Sequence, residues 1–398
     1  MKIPRINEIE NYLLGRYDIR INVITNTIES KPKAETTYNQ VSEMELKYEL
    51  YKEGQSKFDG ELKAILGSKA IQKFDPIKEY FETLPKWNDT EPDYIKALSS
   101  YCQTDDQPWF EYMFKKHLVR MVAQATNKIE FNKHCLTLVG KQNDGKTSFF
   151  NFLVPPALKN YYRDTFDFNG SKDGKFSLVQ NFLINLDELA QFDKKDLNKE
   201  FKSILTTSIV KFRLLFHNSE TPHLRRASFV ATTNEIEFLT DETGNVRWIP
   251  FVVKSINHDF GGKNGYSANI DIDKVWGQAY SLLMNGFKCQ LDNAEINQLE
   301  ILNRRFIKVS TEADVISRFL KPAQKHEQNA EFLQSFEICQ YLKQETTLVL
   351  HSNQVGKALT QLGFERTSHR NEKWGVKGYF VLKIENILTT LTTNSINN

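Results

Sequence analysis

Proline and glycine are sparse, 11 and 18 in a chain of 398 residues, which excludes a disordered, collagen-like or low-complexity polypeptide. Cysteine is scarcer. Cys102, Cys135, Cys289 and Cys339 stand far apart, with no CxxC pair and no Cys/His cluster at metal-ligand spacing, so they read as reduced, mostly buried side chains. Charge of one sign is not in excess either: 52 Lys and Arg face 50 Asp and Glu, a formal +2. No overall field announces a nucleic acid or a membrane, and any basic surface must be local. No apolar run reaches the roughly 18 residues of a membrane span, and the N-terminus lacks the apolar core of a signal peptide, so a cytoplasmic protein without a membrane partner is expected. No repeat recurs at the spacing of solenoids or propellers. What is present is the composition of a globular protein, 40% hydrophobic, 12% aromatic and 26% charged, with length for about two to three folded units.

Hydrophobic spacing divides the chain. Residues 1–40 combine short alternating stretches with a polar tail, predicting a small N-terminal segment with a strand pair. Over 41–126 apolar residues recur every three or four positions, as in Phe114, Leu118, Met121 and Val122, predicting a helical domain interrupted at Pro85 and Trp87. Over 127–272 short apolar runs (CLTLVG, NFLINLDEL, ASFVATTN) alternate with helical stretches, which predicts an α/β unit on a largely parallel, buried sheet. A helical linker is expected over 273–309. The final unit, 310–398 with a short tail, reads as helices near 312–320, 333–344 and 352–362 followed by two strand-like runs, the pattern of a winged helix.

The strongest motif is Gly140-Lys141-Gln142-Asn143-Asp144-Gly145-Lys146-Thr147, a complete GxxxxGK[ST] directly after an apolar strand. Its glycines let backbone N–H groups turn toward phosphates, and the helix opening at Lys146, Thr147 and Ser148 favours negative charge at its N-terminus. Lys146 would reach the β- and γ-phosphates of ATP, and the Thr147 hydroxyl would ligate Mg²⁺. Forty-one residues on from Lys146, the strand LINL ends in Asp187-Glu188. One carboxylate would sit at the metal and the second would activate water. A third strand ends in Thr232-Thr233-Asn234, where the Asn234 amide could orient that water, and Arg247 follows as a cation able to reach a neighbouring subunit's nucleotide.

Together these residues resemble superfamily 3 helicases of the AAA+ class, and more specifically the virulence-associated protein E family. The likeness rests on LPKWND (84–89), LVGKQNDGKTSFF, INLDELAQF, FKSILTTSIVKFRLLF and RRASFVATTNEIEFLTDETGNVRWIPF, roughly residues 75–255. It implies an ATP-driven DNA helicase or replication-initiation motor of a phage or mobile element, working as a ring, a hexamer in the family's manner, with 41–126 as a collar that holds subunits together. The family usually carries two adjacent arginines after Gly-Asn. Here Val246 precedes Arg247, which leaves Arg225 and Arg226 as rival fingers. The resemblance also places a pore hairpin over about 211–226, with Lys211, Arg213, His217, His223 and Arg225 as candidates for contact with single-stranded DNA.

Charge adds a second DNA candidate. Over 354–383, Lys357, Arg366, Arg370, Lys373, Lys377 and Lys383 face only Glu365 and Glu372. A basic helix followed by a basic hairpin suits duplex contact by a winged helix. The alternative function class is a nucleotide-controlled DNA-binding switch without unwinding, which the Asp187-Glu188 pair weighs against. A small-molecule kinase fits poorly, because no arginine-rich lid follows the P-loop. No primase signature is visible, so priming is expected from a separate protein.

Overall fold

The structure, a computed structural model, describes the chain apart from residues 1–4, 169, 188, 190–194, 213–218, 240–244, 372–373 and 385–398, and apart from the side chains of 195–199, 369–371 and 374. Two compact units divide it: Met1–Phe238 with Gly244–Arg305, and Leu239–Thr243 with Phe306–Asn398.

The first unit opens with α1 (Arg5–Arg16), β1 (Tyr17–Asn22), β2 (Thr27–Pro32), β3 (Asn39–Val41), α2 (Glu43–Lys52), α3 (Asp59–Gly67) and β4 (Gln72–Phe74). These strands form a sheet of order β3-β2-β1-β4, antiparallel except for the parallel β1–β4 pair. Period-two alternation in β1 buries Ile19 and Ile21 against Ile9 and Leu13 of α1 and Leu62 and Ile65 of α3. Ser42 and Glu45 close a capping box that starts α2. The expected border at residue 40 is therefore absent: β4, only three residues long, joins the strand pair from inside the stretch read as helical.

Next come α4 (Pro76–Thr83), α5 (Tyr94–Ser99), β5 (Cys102–Thr104) and α6 (Gln107–Ala125). Asp106 caps α6 by accepting from Trp109 N–H at 3.2 Å, with Pro108 in the first turn. From Lys116 to Ala125 every residue of α6 is buried, so this helix is the spine of the core and not part of a separate collar. Around it lie β6 (Cys135–Val139), α7 (Lys146–Phe152), β7 (Tyr162–Arg163), α8 (Lys172–Gln180), β8 (Leu183–Leu186), α9 (Lys195–Leu205), β9 (Ile209–Phe212), β10 (Thr221–Leu224), β11 (Ser228–Thr233) and β12 (Trp248–Ile256). The central sheet has the order β5-β12-β6-β11-β8-β7. Its last five strands run parallel and only the edge strand β5 is antiparallel. Strands β6, β8 and β11 are buried residue for residue, as expected of a parallel sheet covered on both faces. Strands β9 and β10 form a separate antiparallel hairpin.

Residues 273–309 are not a linker. After the short α10 (Tyr266–Asn269), α11 (Ile272–Met284) buries Val275, Trp276 and Ala279 in the same core, and Trp276 Nε1 donates to the Leu153 carbonyl at 2.8 Å. A Cβ on Gly277 would lie 2.7 Å from the Pro85 carbonyl oxygen, so the helix approaches as closely as it does only because that side chain is absent. Helix α12 (Asn293–Asn303) is tied in through Asn303, whose amide donates to the carbonyls of Asn245 and Trp248.

The second unit contains α13 (Thr311–Phe319), β13 (Leu320–Pro322), β14 (Glu331–Leu333), α14 (Ser335–Glu345), α15 (Ser352–Gln361), β15 (Arg366–Asn371) and β16 (Trp374–Lys383). The helices and the final hairpin fall within a few residues of their predicted places. Two short strands were not predicted: β13 and β14 pair with the far end of β16. Ile316, Ile338, Leu342, Val355, Leu359 and Val381 form its core.

Candidate nucleotide-binding cleft

A cleft of about 670 Å³ opens at the C-terminal ends of the parallel strands. In this fold class ligands bind there, because the loops leaving those ends are free of the sheet's own hydrogen bonding. Gln142 to Ser148 form one wall, Asp187, Thr232, Thr233 and Asn234 another, and His258, Phe260, Gly261, Tyr266 and Ser267 a third.

The loop after β6 is built as the motif requires. Gly140 N–H donates to the Thr233 carbonyl at 3.0 Å, extending the β6–β11 pairing to the loop's first residue. Asn143 and Gly145 then turn through left-handed conformations, φ 66° and 83°. Asparagine tolerates that region and glycine occupies it without strain. Helix α7 begins directly at Lys146, so its unpaired N–H groups face the cleft. Lys146 is only 8% exposed, and its Nζ donates to the carbonyls of Gly140 at 2.9 Å and Lys141 at 2.5 Å. Burial lowers its pKa from the usual lysine value, while Asp144 and Asp187 act the other way.

Asp187, one residue beyond β8, accepts from the Thr147 hydroxyl at 3.1 Å and from the Thr232 hydroxyl through the same carboxylate oxygen. This pairing of a hydroxyl and a carboxylate fits Mg²⁺, a hard cation that takes one or two protein oxygens and completes its shell with phosphate and water. Thr232 was not singled out from sequence. Nor were His258, Phe260 and Tyr266, although the glycine-bearing run HDFGGKNG (258–265) is a visible signal.

The other candidates separate. Asn234 stands exposed at the rim. Glu188, Arg213, His217 and Lys373 lie outside the described residues, as does the side chain of Arg370. Arg247 ends a 3-10 turn just before β12, half-buried. Since Trp248 pairs with Cys135 at the start of β6, Arg247 lies at the opposite end of the sheet from the loop that follows Val139. It is not at its own chain's cleft.

Arg225 is a correction. It is fully buried, and its guanidinium donates to the carbonyls of Ala227, Ile204, Leu205 and Asn132 at 2.8–2.9 Å. Burial pushes it down to about 9. A side chain so used joins α9 to the base of β11: four of its five N–H donors are engaged, and with none of its surface exposed it is out of reach of DNA and of a neighbour's nucleotide. Arg226, the other rival finger, is committed to Asp75 at 2.6 Å and the Ala125 carbonyl at 2.9 Å. On the hairpin, Lys211 is exposed, and His223 stacks on Phe212 with ring centroids 4.0 Å apart. In the second unit Lys357, Arg366 and Lys377 converge on one hollow of about 560 Å³, with Ser335, Ser352 and Asn353 on its wall.

No helix among the described residues is long and apolar enough to cross a membrane. Comparison with solved structures finds the apo C-terminal region of NrS-1, at 11% identity and a TM-score of 0.53 over 96% of this chain and 100% of that one. A second apo form of that region gives 10% identity and 0.52 over the same shares. SCCmec type IV Cch, described as an active helicase, matches at 11% identity over 95% of this chain and 94% of that one, with a TM-score of 0.39 that carries no argument. No curated protein matches the chain. The NrS-1 likeness shows a shared mixed α/β fold. A family model, the virulence-associated protein E-like domain, matches residues 81–308, more than half of the chain, and the protein belongs to that family.

Proposed function

We propose that this protein is an ATP-hydrolysing DNA motor of the superfamily 3, AAA+ type, serving replication of a phage or mobile element. The observation that carries the reading is the convergence of Lys146, Thr147, Asp187 and Thr232 at the C-terminal ends of three neighbouring parallel strands. The N–H groups of 141–148 and the Lys146 ammonium would bind the phosphates, and Thr147 and Asp187 would hold Mg²⁺, which would supply neutralising charge to them. Glu188 takes the proton of the attacking water and Asn234 orients it. Arg247, remote from its own cleft, serves the nucleotide of an adjacent subunit in a ring, expected to be a hexamer.

The hairpin of β9 and β10 carries Lys211 and His223, with Arg213 and His217 in the segment between its strands, toward single-stranded DNA. The second unit acts as a winged helix, with Lys357, Arg366, Arg370, Lys373 and Lys377 as its basic residues for duplex phosphates. The test is ATP turnover by the wild type, Lys146→Ala and Glu188→Gln, with and without single-stranded DNA, together with the light-scattering mass. The expected result is DNA-stimulated hydrolysis, reduced at least about a hundredfold in both variants, from a particle near six times the 46.3 kDa chain. Nucleotide-dependent DNA binding without turnover would replace the motor with a switch.

A further inference from the structure

The third wall of the cleft has no counterpart in the phosphate and metal chemistry. It is formed by the turn 258–265 that follows β12 and by the first residues of α10, and the turn presents Phe260, which is 97% exposed. A single exposed aromatic is ordinary on a protein surface. This one is presented by a turn whose backbone is strained to do so. Asp259 and Phe260 both have left-handed backbones, φ 43° and 45°, a conformation that non-glycine residues rarely adopt and that persists only when the surroundings over-determine it.

Here the surroundings do. The Asp259 carboxylate accepts from Asn264 N–H at 2.8 Å, and the Phe260 N–H donates to His258 Nδ1 at 3.1 Å. Gly261 N–H donates to the His258 carbonyl at 3.0 Å. A Cβ on Gly262 would lie 2.5 Å from Asp259 Oδ2, and one on Gly265 only 2.3 Å from the His258 carbonyl oxygen, so the turn closes through glycines alone. The His258 ring connects it to the phosphate loop: a Cβ on Gly145 would stand 2.7 Å from His258 Cδ2. His258 meets the Phe260 ring edge-on, with centroids 4.5 Å apart.

A rigid turn thus holds a solvent-facing aromatic at the rim of a cleft whose floor is the phosphate loop, with a second ring wedged between the two. We propose that Phe260, backed by His258, is the platform on which the base of the bound nucleoside triphosphate stacks, with purines preferred because their larger ring system covers more of the phenyl face. The inference rests on the reading of the cleft as a nucleotide site and adds what that reading lacks, a contact to the base. Neither the strained backbone nor the exposed ring contributes to the hydrophobic core, and both are accounted for by a planar apolar partner.

The experiment is calorimetric titration of the full-length chain with Mg-ATP, Mg-CTP and Mg-tripolyphosphate, comparing the wild type with Phe260→Ala, Phe260→Trp and Lys146→Ala. Phe260→Ala is expected to weaken ATP binding about tenfold, to weaken CTP less, and to leave tripolyphosphate unchanged, while Phe260→Trp retains ATP affinity. Because Phe260 is exposed, neither variant removes core packing. Equal loss of ATP and tripolyphosphate in Phe260→Ala, or no loss of either, overturns the platform while Lys146→Ala still abolishes binding of both. If Lys146→Ala binds ATP and tripolyphosphate like the wild type, the phosphate reading falls and takes the platform with it. A changed light-scattering mass for Phe260→Ala at an unaltered ATP-to-tripolyphosphate ratio would assign the ring to a subunit contact instead.

Discussion

At the scale of single residues, the cleft depends on atoms that are absent as much as on those present. Gly145 combines a left-handed backbone, φ 83°, with a Cβ position already occupied by His258. Alanine there incurs about 1–2 kcal/mol of backbone strain and also forces the histidine away. Gly145→Ala is expected to fold, since the loop lies outside the core, but to bind ATP at least about tenfold more weakly, as equilibrium titration would show. Thr232 makes the complementary case. Its hydroxyl donates to the Asp187 oxygen that also accepts from Thr147, so it aims the carboxylate. Thr232→Val keeps the shape and removes the hydrogen bond. The Mg²⁺ concentration needed for half-maximal hydrolysis should rise roughly 10–100-fold, the usual effect of losing an outer-shell partner, while metal-free nucleotide binding stays unchanged. Unaltered Mg²⁺ dependence would show that Thr147 alone holds the carboxylate in place.

At the scale of elements, a buried ion pair joins α6 to α12. Lys116 Nζ and Glu295 Oε1 are 2.5 Å apart with side chains 6% and 9% exposed, and the Tyr112 hydroxyl donates to the same carboxylate oxygen. Burial alone would raise Glu295; the Lys116 ammonium, the Tyr112 hydroxyl and the Asp292 backbone N–H outweigh it and hold the carboxyl below the usual range. A lowered folded-state pKa means that the stabilisation is present at neutral pH and is lost as pH falls below about 4.3 and through the folded value. Glu295→Ala leaves Lys116 buried without its carboxylate and should cost about 3 kcal/mol in urea unfolding at pH 7, with the gap to wild type closing as the pH is lowered below about 4. A gap independent of pH would mean that lost packing, not charge, dominates. The helices themselves were legible in sequence, but their grouping was not. Helix α6 reads as one of several helices until its burial on every side is seen, and α11 and α12 read as a linker because periodicity reports which face is apolar, not what covers it. Strands β4, β5 and β7, of three, three and two residues, are too short for alternation to register.

At the scale of the whole molecule, strand order separates functions that lie close together in the chain. Asp187 and Asn234 were readable from sequence because each directly follows an apolar strand, and Lys146 because it closes the glycine loop that leaves one; parallel strands deliver their ends to one edge. The burial of Arg225 was not readable: its guanidinium satisfies carbonyls of Asn132, Ile204 and Leu205, partners brought together only by the sheet. Arg247 precedes β12, and β12 runs parallel to β6 from Trp248 opposite Cys135 to Val252 opposite Val139. The arginine and the phosphate loop therefore sit at opposite ends of the same pair of strands, about 20 Å apart at a rise of roughly 3.3 Å per residue. An arginine so placed can act on hydrolysis only across a head-to-tail subunit contact, the kind that closes into rings. Lys146→Ala and Arg247→Ala should each be inactive alone, for different reasons. Mixed in equal amounts and allowed to exchange subunits, they restore an intact cleft facing an intact arginine at about one interface in four, so DNA-stimulated ATPase activity should return to roughly a quarter of wild type. Activity that stays at the level of the separate variants, in mixtures whose subunit exchange is verified by mass, would remove Arg247 from the neighbour's site and leave it a structural cation at the base of β12.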